Sequence, residues 1–149
     1  MGGLAEEFVS GVCAAYGFEV RPNLGEPADF DYELAYGQQK TTIEVKFDLY
    51  AERSGNIAIE FYNPKGGKPS GIERTKAVWW VHVLAKNHLP SEAYAIECGE
   101  LRRLIREKPP PKIVPEAGDG NSSIYLYPRS FLEKNFTSLE NVLQATVAE

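Results

Sequence analysis

Ionisable side chains alternate with apolar ones along residues 41–48, TTIEVKFD. Side chains two apart on a β-strand project from the same face. The isoleucine, valine and phenylalanine of this segment would therefore face a core, while Glu44, Lys46 and Asp48 share the opposite face. Carboxylates flanking an ammonium group can bind a divalent cation and stabilise charge that develops on a phosphate oxygen.

A second group of acids precedes this strand, in residues 29–34, DFDYEL. If the aromatic and leucine side chains of this segment face the core, Asp29 and Asp31 lie on the polar face beside Glu44, whatever the register. Close carboxylates repel each other by about 1 kcal/mol or more once water is partly excluded. Mg²⁺ would offset this repulsion, since it takes oxygen ligands from one or two carboxylates and keeps waters for a phosphate-bearing substrate.

The elements that position these residues follow from periodicity. Apolar residues at helical spacing predict an amphipathic helix over residues 3–16, ended by Gly17. Alternating runs at 30–34 and 41–47 are joined by the turn YGQQ and predict a β-hairpin. A third alternating run at 56–62 predicts that the hairpin extends to a three-stranded antiparallel meander.

The rest of the chain mixes strand and helix patterns. Residues 63–71, NPKGGKPSG, predict a mobile basic surface loop, and the apolar run 78–84 predicts a buried strand. Further expected elements are a strand over 93–98, a helix over 99–108, an irregular segment over 109–122, a strand over 122–128 and helices over 129–136 and 138–149. This order predicts an α/β fold in which helices flank a mixed β-sheet.

Composition bounds the class of protein. The chain has 149 residues, 43% of them hydrophobic and 25% charged, which predicts one globular domain over residues 1–149. The absence of a long apolar run or a signal peptide predicts a soluble cytoplasmic protein without a membrane segment. The two cysteines, Cys13 and Cys98, have no metal-binding spacing, so we expect buried free thiols.

Charge is distributed unevenly. The net charge of −5 excludes a general nucleic-acid coat protein, which needs many phosphate contacts from Lys and Arg. Residues 1–60 contain eleven acids and four bases, whereas residues 61–149 contain ten acids and twelve bases. Within the second part, residues 63–88 are locally basic, so this stretch could contact a polyanion.

These motifs together resemble the PD-(D/E)XK nuclease superfamily, which includes restriction enzymes, phage nucleases, Holliday-junction resolvases and some homing endonucleases. The resemblance rests on AEEF in the first helix, PADFDYEL, IEVK, and the run from GNIAIEF to WWVHVL, and it covers about residues 4–84. It implies a restriction-endonuclease-like core, with residues 91–149 as a C-terminal elaboration of strands and helices.

The resemblance also implies roles for single residues. Asp31 and Glu44 would bind Mg²⁺ together with the backbone carbonyl of Val45, and Mn²⁺ would substitute for Mg²⁺. Lys46 would position the attacking water, and Glu6 of the first helix would support the metal site. The alternatives left open are Asp29 in place of Asp31, Glu7 in place of Glu6, and Asp48 as a third acid.

The implied activity is hydrolysis of DNA phosphodiester bonds by an endonuclease of bacterial or phage-infected cells. A domain this small reaches both strands of a duplex by pairing, so we expect a homodimer or a higher symmetric oligomer. Three alternatives are a nuclease-fold module that only binds DNA or protein, a junction resolvase or exonuclease of the same fold, and a hydrolase acting on nucleotides. The expected DNA contacts are Lys65, Lys68, Ser70, Arg74 and Lys76.

Overall fold

The computed structural model describes residues 3–27, 29–118 and 120–149, which contain five α-helices and ten strands. The helices are α1 (Leu4–Ala15), α2 (Tyr50–Ser54), α3 (Cys98–Glu107), α4 (Arg129–Asn135) and α5 (Leu139–Val147). The strands are β1 (Glu19–Pro22), β2 (Tyr32–Tyr36), β3 (Gln39–Asp48), β4 (Asn56–Asn63), β5 (Lys68–Pro69), β6 (Trp79–Lys86), β7 (Leu89–Glu97), β8 (Lys112–Ala117), β9 (Ser122–Pro128) and β10 (Thr137–Ser138). Within the described ranges, no helix is long and apolar enough to cross a membrane.

The main sheet has six strands in the order β1-β2-β3-β6-β7-β10. Strands β1, β2 and β3 form an antiparallel meander, whereas β3 and β6 run parallel, with Glu44 opposite Trp80. The sheet is therefore mixed, as predicted. Strand β6 is apolar on both faces because a hydrophobic cluster covers each face of the sheet at this strand.

Strand β4 does not extend this meander, so the prediction that residues 56–62 pair with the hairpin is wrong. The short helix α2 follows β3 and carries the chain away, and β4 joins a second, antiparallel sheet of order β5-β4-β9-β8. The edge of β3 that β4 was expected to occupy is taken by β6. Alternation shows which residues share a face, but it does not show which strand lies alongside.

Two segments predicted to be irregular contain strands. In the basic segment 63–71, β5 pairs with Tyr62 and Asn63, and the side-chain oxygen of Asn63 accepts the Gly66 N–H at 3.0 Å to close the turn. In the segment 109–122, β8 pairs with β9 at the edge of the second sheet, where Pro115 is tolerated because an edge strand leaves some N–H positions unpaired. Asp119 lies outside the described residues.

Two hydrophobic clusters lie on opposite faces of the main sheet. One packs α1 and α5 against β3, β6 and β7 and includes Cys13. The other joins β6 to the second sheet, α3 and α4 around Trp80 and includes Cys98. Both cysteines are buried free thiols, as expected, and burial raises the pKa of each thiol to about 12. The polar residues of β3 lie where the two sheets meet.

Candidate active site

Asp31 and Glu44 lie side by side at the start of the hairpin. The Asp31 N–H donates to the Ile43 carbonyl at 3.0 Å, and its Oδ2 accepts the Val45 N–H at 2.8 Å. These two contacts fix Asp31 immediately before β2, opposite Glu44 on β3. Both carboxylates line one cleft of about 200 Å³, together with Val45 and Lys46.

The Glu44 carboxylate is held from a distant part of the chain. The Thr75 hydroxyl lies 3.1 Å from Glu44 Oε1 and 3.2 Å from the Asp29 carbonyl, and its oxygen accepts the Ala77 N–H at 3.1 Å. Arg102 of α3 donates to the Thr75 carbonyl at 2.7 Å and so fixes this segment. Nothing in the local sequence pattern indicated that Thr75 or Arg102 contributes to the site.

The Lys46 ammonium lies between two carboxylates. Its Nζ is 3.4 Å from Glu44 Oε2 and 3.8 Å from Glu60 Oε1, and it lies 6.0 Å from the centre of the Trp80 ring. The Lys46 side chain is 28% exposed. A partly buried ammonium in this position can donate hydrogen bonds to an anionic group that enters the cleft.

The electrostatics of the two acids disfavour two negative charges in the absence of a cation. Burial raises the pKa of Asp31, and the charge of Glu6 adds to the rise, although the Val45 N–H opposes it. Burial also raises the pKa of Glu44; Lys46 opposes this rise and the charge of Asp31 adds to it. A positive ion between the two carboxylates would favour their ionised forms.

The structure separates the alternative acids from one another. Glu6 lines the cleft with Asp31, and its Oε1 accepts the Gly3 N–H at 2.6 Å. Glu7 is exposed and does not line that cleft. The Asp29 carboxylate also lies outside the cleft and faces the exposed Lys76 ammonium at 3.4 Å. The cleft therefore brings Glu6 and Asp31 together with Glu44, and it excludes Glu7 and Asp29.

Asp48 lies on the same face of β3 as Glu44 and Lys46, but it is buried and does not line the cleft of Asp31 and Glu44, where the third active-site acid was expected. Its side chain is 1% exposed, and its two oxygens accept four N–H groups, from Tyr50, Ala51, Ala58 and His82. A carboxylate offers about four lone-pair directions, so these contacts leave none for a cation. Asp48 instead links β3 to α2, to β4 and to β6.

A second cleft, of about 240 Å³, continues from the first and shares Glu44 and Lys46 with it. Its other lining residues include Lys68, Ser70 and Arg74. The Ser70 hydroxyl oxygen is buried, and no residue that the structure describes forms a hydrogen bond with it. The two clefts adjoin at Glu44 and Lys46, and together they are called the groove. Lys65 and Lys76 are exposed outside it.

The donor set of the first cleft suits an ion that needs few protein ligands. Among residues 3–27, 29–118 and 120–149, no three His, Cys, Asp or Glu side chains are close enough together to enclose a metal ion by themselves. Asp31 and Glu44 supply two carboxylates, and each has one oxygen anchored by a hydrogen bond. Mg²⁺ fits such a pair, because it is commonly bound through one or two carboxylates and completes its shell with waters and substrate phosphates.

Comparison with solved structures shows a fold similar to that of a known nuclease. No protein-family model matches the sequence, and no curated protein matches it. The solved structure of a bacterial homing endonuclease, I-Ssp6803I, matches this chain with a TM-score of 0.55 and 15% sequence identity. The match covers 98% of this chain and 95% of the other, so the two share a fold over nearly their whole length. The chain therefore has the restriction-endonuclease-like mixed α/β fold that the sequence predicted.

Proposed function

We propose that this protein is a Mg²⁺-dependent endonuclease that hydrolyses DNA phosphodiester bonds, with Mn²⁺ able to replace Mg²⁺. The observation that carries the proposal is the convergence of Asp31, Glu44 and Lys46 in one cleft, with one oxygen of each acid already oriented by a hydrogen bond. The fold shared with a homing endonuclease supports it. Glu6 at the same cleft adds a third acid near Asp31.

Each residue has a separate task in this proposal. Asp31 and Glu44 would hold the ion, with the Val45 carbonyl as a further ligand. The Val45 N–H and the Thr75 hydroxyl keep the two acids in place. The chemistry that Mg²⁺ supplies here is Lewis acidity towards the phosphodiester and activation of water. Lys46 donates N–H groups to the phosphate oxygens, whose negative charge grows as water attacks phosphorus and the ester oxygen leaves.

The groove indicates a polymer substrate that is bound away from its ends. Because the two clefts of the groove meet at Lys46, a nucleic-acid strand would lie along both of them with an internal phosphate at the cation site. Lys68, Arg74 and the unpartnered hydroxyl of Ser70 are proposed as phosphate contacts on one side. Lys65 and Lys76 are proposed as outer contacts of the same strand, beyond the groove.

Cleavage of both strands of a duplex needs two sites. We therefore propose that the protein acts as a homodimer or a higher symmetric oligomer, with one groove facing each strand. Light scattering of the free protein and of its DNA complex in Ca²⁺ measures this state directly. A protein that stays monomeric in both samples would act on one strand at a time.

The test is DNA cleavage by the wild type and by two variants. Wild-type protein in Mg²⁺ should cleave a covalently closed circular duplex, which has no ends, and Glu44→Ala and Lys46→Ala should each lower the rate at least about 100-fold. Lys40→Ala is the matched control, because Lys40 lies on the same strand, is exposed and does not line either cleft. Its rate should remain within about twofold of the wild-type rate.

The outcomes separate the proposed activity from its alternatives. Cleavage that persists in Lys46→Ala at the wild-type rate would refute the assigned site. A wild type that binds DNA but never cleaves it would indicate a binding module. Cleavage only of four-way junctions, only from free ends, or only of mononucleotides would indicate a resolvase, an exonuclease or a nucleotide hydrolase, respectively.

A further inference from the structure

Glu60 of the second sheet faces Lys46 of the main sheet across the groove. The distance from Lys46 Nζ to Glu60 Oε1 is 3.8 Å, and the Glu60 side chain is 30% exposed. Lys46 thus has two carboxylate neighbours, Glu44 on its own strand and Glu60 on β4. Because the strands belong to different sheets, no ladder of backbone hydrogen bonds between β3 and β4 places Glu60 there.

A buried side-chain contact places it instead. Asp48 Oδ2 accepts the Ala58 N–H at 2.8 Å, and this bond ties the end of β3 to β4. Glu60 is two residues beyond Ala58 on β4, and Lys46 is two residues before Asp48 on β3. The distance along the strand from Asp48 to Lys46 equals that from Ala58 to Glu60, about 6.7 Å for two residues. The bond between Asp48 and Ala58 therefore brings Lys46 and Glu60 to the same level of the groove.

The backbone around Glu60 is also shaped locally. The pairing of β4 with β9 shifts by one residue between Glu60 and Tyr62, which is a β-bulge. Bulges change the direction in which neighbouring side chains point, and they are frequent beside functional sites. Gly71 packs directly on the Glu60 carbonyl with a positive φ of 52°, where a Cβ atom would overlap that carbonyl. Glu60 is therefore held by contacts on both of its sides.

From this geometry we infer that Glu60 is a positioning residue for Lys46. In the proposed enzyme, Glu44 would not be fully available to Lys46, because the same carboxylate would hold the cation and already accepts a hydrogen bond from the Thr75 hydroxyl. Glu60 remains free of those tasks and keeps the ammonium group over the cleft. Its negative charge in a groove for a polyanion weakens phosphate binding, so its effect on DNA affinity and its effect on cleavage have opposite signs.

The test compares Glu60→Gln and Glu60→Asp with the matched control Glu73→Gln. Glu73 is an exposed acid in the short 3₁₀ turn beside the same groove, and it does not line the cleft that contains Glu60. Glu60→Gln should lower the single-turnover cleavage rate at saturating DNA about 10- to 100-fold. DNA affinity measured in EDTA should become tighter, because the variant lacks the negative charge of Glu60. Glu60→Asp should restore part of the rate, and Glu73→Gln should leave the rate unchanged.

A second readout does not depend on cleavage. The side-chain ammonium resonance of Lys46 in an NMR spectrum of the metal-free protein, assigned with Lys46→Met, should move in Glu60→Gln and stay in place in Glu73→Gln. This inference rests on the proposed function, and the two readouts separate them. If the wild type cleaves and Glu60→Gln cleaves equally fast, the inference fails and the proposed nuclease stands. If the wild type never cleaves DNA, the proposed nuclease function fails. In that case a Lys46 resonance that does not move in Glu60→Gln overturns the pairing of Glu60 with Lys46, and a resonance that moves supports it.

Discussion

Asp48→Asn changes one oxygen of a buried carboxylate to an amide nitrogen and leaves its volume unchanged. In the wild type, Oδ1 accepts the N–H groups of Tyr50 and Ala51, both at 2.9 Å. Oδ2 accepts the Ala58 N–H at 2.8 Å and lies 2.7 Å from Nε2 of His82. If the new amide nitrogen replaces Oδ1, it faces the N–H groups of Tyr50 and Ala51. If it replaces Oδ2, it faces the Ala58 N–H and the His82 Nε2.

His82 cannot relieve this conflict by moving its proton. The Trp80 indole nitrogen is only a donor, and it lies 3.1 Å from His82 Nδ1, so Nδ1 must accept and Nε2 must carry the proton. A proton on Nδ1 would face the indole N–H. Two donors, one buried and one partly buried, therefore lose their acceptor in Asp48→Asn. At about 1–3 kcal/mol each, we expect the free energy of unfolding to fall by about 2–6 kcal/mol. This is a large loss, because the free energy of unfolding of a typical domain is only about 5–15 kcal/mol.

The assay is urea unfolding at neutral pH, followed by circular dichroism. The control is Asp29→Asn, since the Asp29 carboxylate faces an exposed lysine, and this change should alter stability by no more than about 0.5–1 kcal/mol. In a Trp80→Phe background the opposing indole N–H is absent, so Asp48→Asn should destabilise by about 1 kcal/mol less than in the wild type. Equal destabilisation in the two backgrounds, or a loss no larger than that of the control, would refute the reasoning.

Three further predictions concern stability. Asp31→Asn removes one of two close, partly buried negative charges, so in EDTA it should stabilise the protein by about 0.5–2 kcal/mol while abolishing cleavage; a lower melting temperature would contradict this. Gly71→Ala should lower the free energy of unfolding by about 2–4 kcal/mol, because its Cβ would overlap the Glu60 carbonyl. Gly11→Ala should instead raise the free energy of unfolding by about 0.5–1 kcal/mol, because Gly11 lies in the middle of α1 and nothing is within 4 Å of the added carbon. Changes of the same sign in the two alanine variants would contradict this prediction. Burial alone would raise the pKa of Asp48, but the hydrogen bonds from His82, Ala58 and Ala51 lower it overall. The stability that Asp48 contributes is therefore present above the ordinary aspartate pKa of about 3.9 and lost as pH falls through the lower native value. Acid unfolding curves of the wild type and Asp48→Asn should converge below about pH 4, and a gap that widens there would reverse the sign.

Local alternation was sufficient to locate the main residues of the candidate site. Asp31, Glu44 and Lys46 lie within sixteen residues of one another on a single hairpin, and a hairpin fixes which side chains share a face. The N-terminal helix could be predicted for a similar reason, since helical spacing is a local property. Its Glu6 was named only through the family resemblance, with Glu7 as the alternative. What these predictions needed was the direction of side chains along one element and the pairing of neighbours joined by a tight turn.

The rest depended on contacts between distant segments. Thr75 reaches Glu44 from 31 residues away, and the second sheet supplies Glu60, because β6 and not β4 lies beside β3. Alternation also failed for Asp48, where the polar face of β3 becomes buried under α2. One observation could have corrected this: His82 lies inside an apolar strand, and a buried imidazole needs hydrogen-bond partners. This need for partners favours a buried carboxylate beside His82, but it does not show which acidic residue supplies it.

The meeting line of the two sheets runs through the candidate site, with Asp31 and Glu44 on the main sheet and Glu60 and Lys68 on the second. The two sets of residues are therefore inherited on separate stretches of chain. In the proposed nuclease, substitutions within residues 56–74 would alter which polymer the groove admits while the acids on the hairpin stay as they are. Recognition can diverge among descendants of this protein faster than the chemistry, provided that the buried bond from Asp48 to Ala58 is kept.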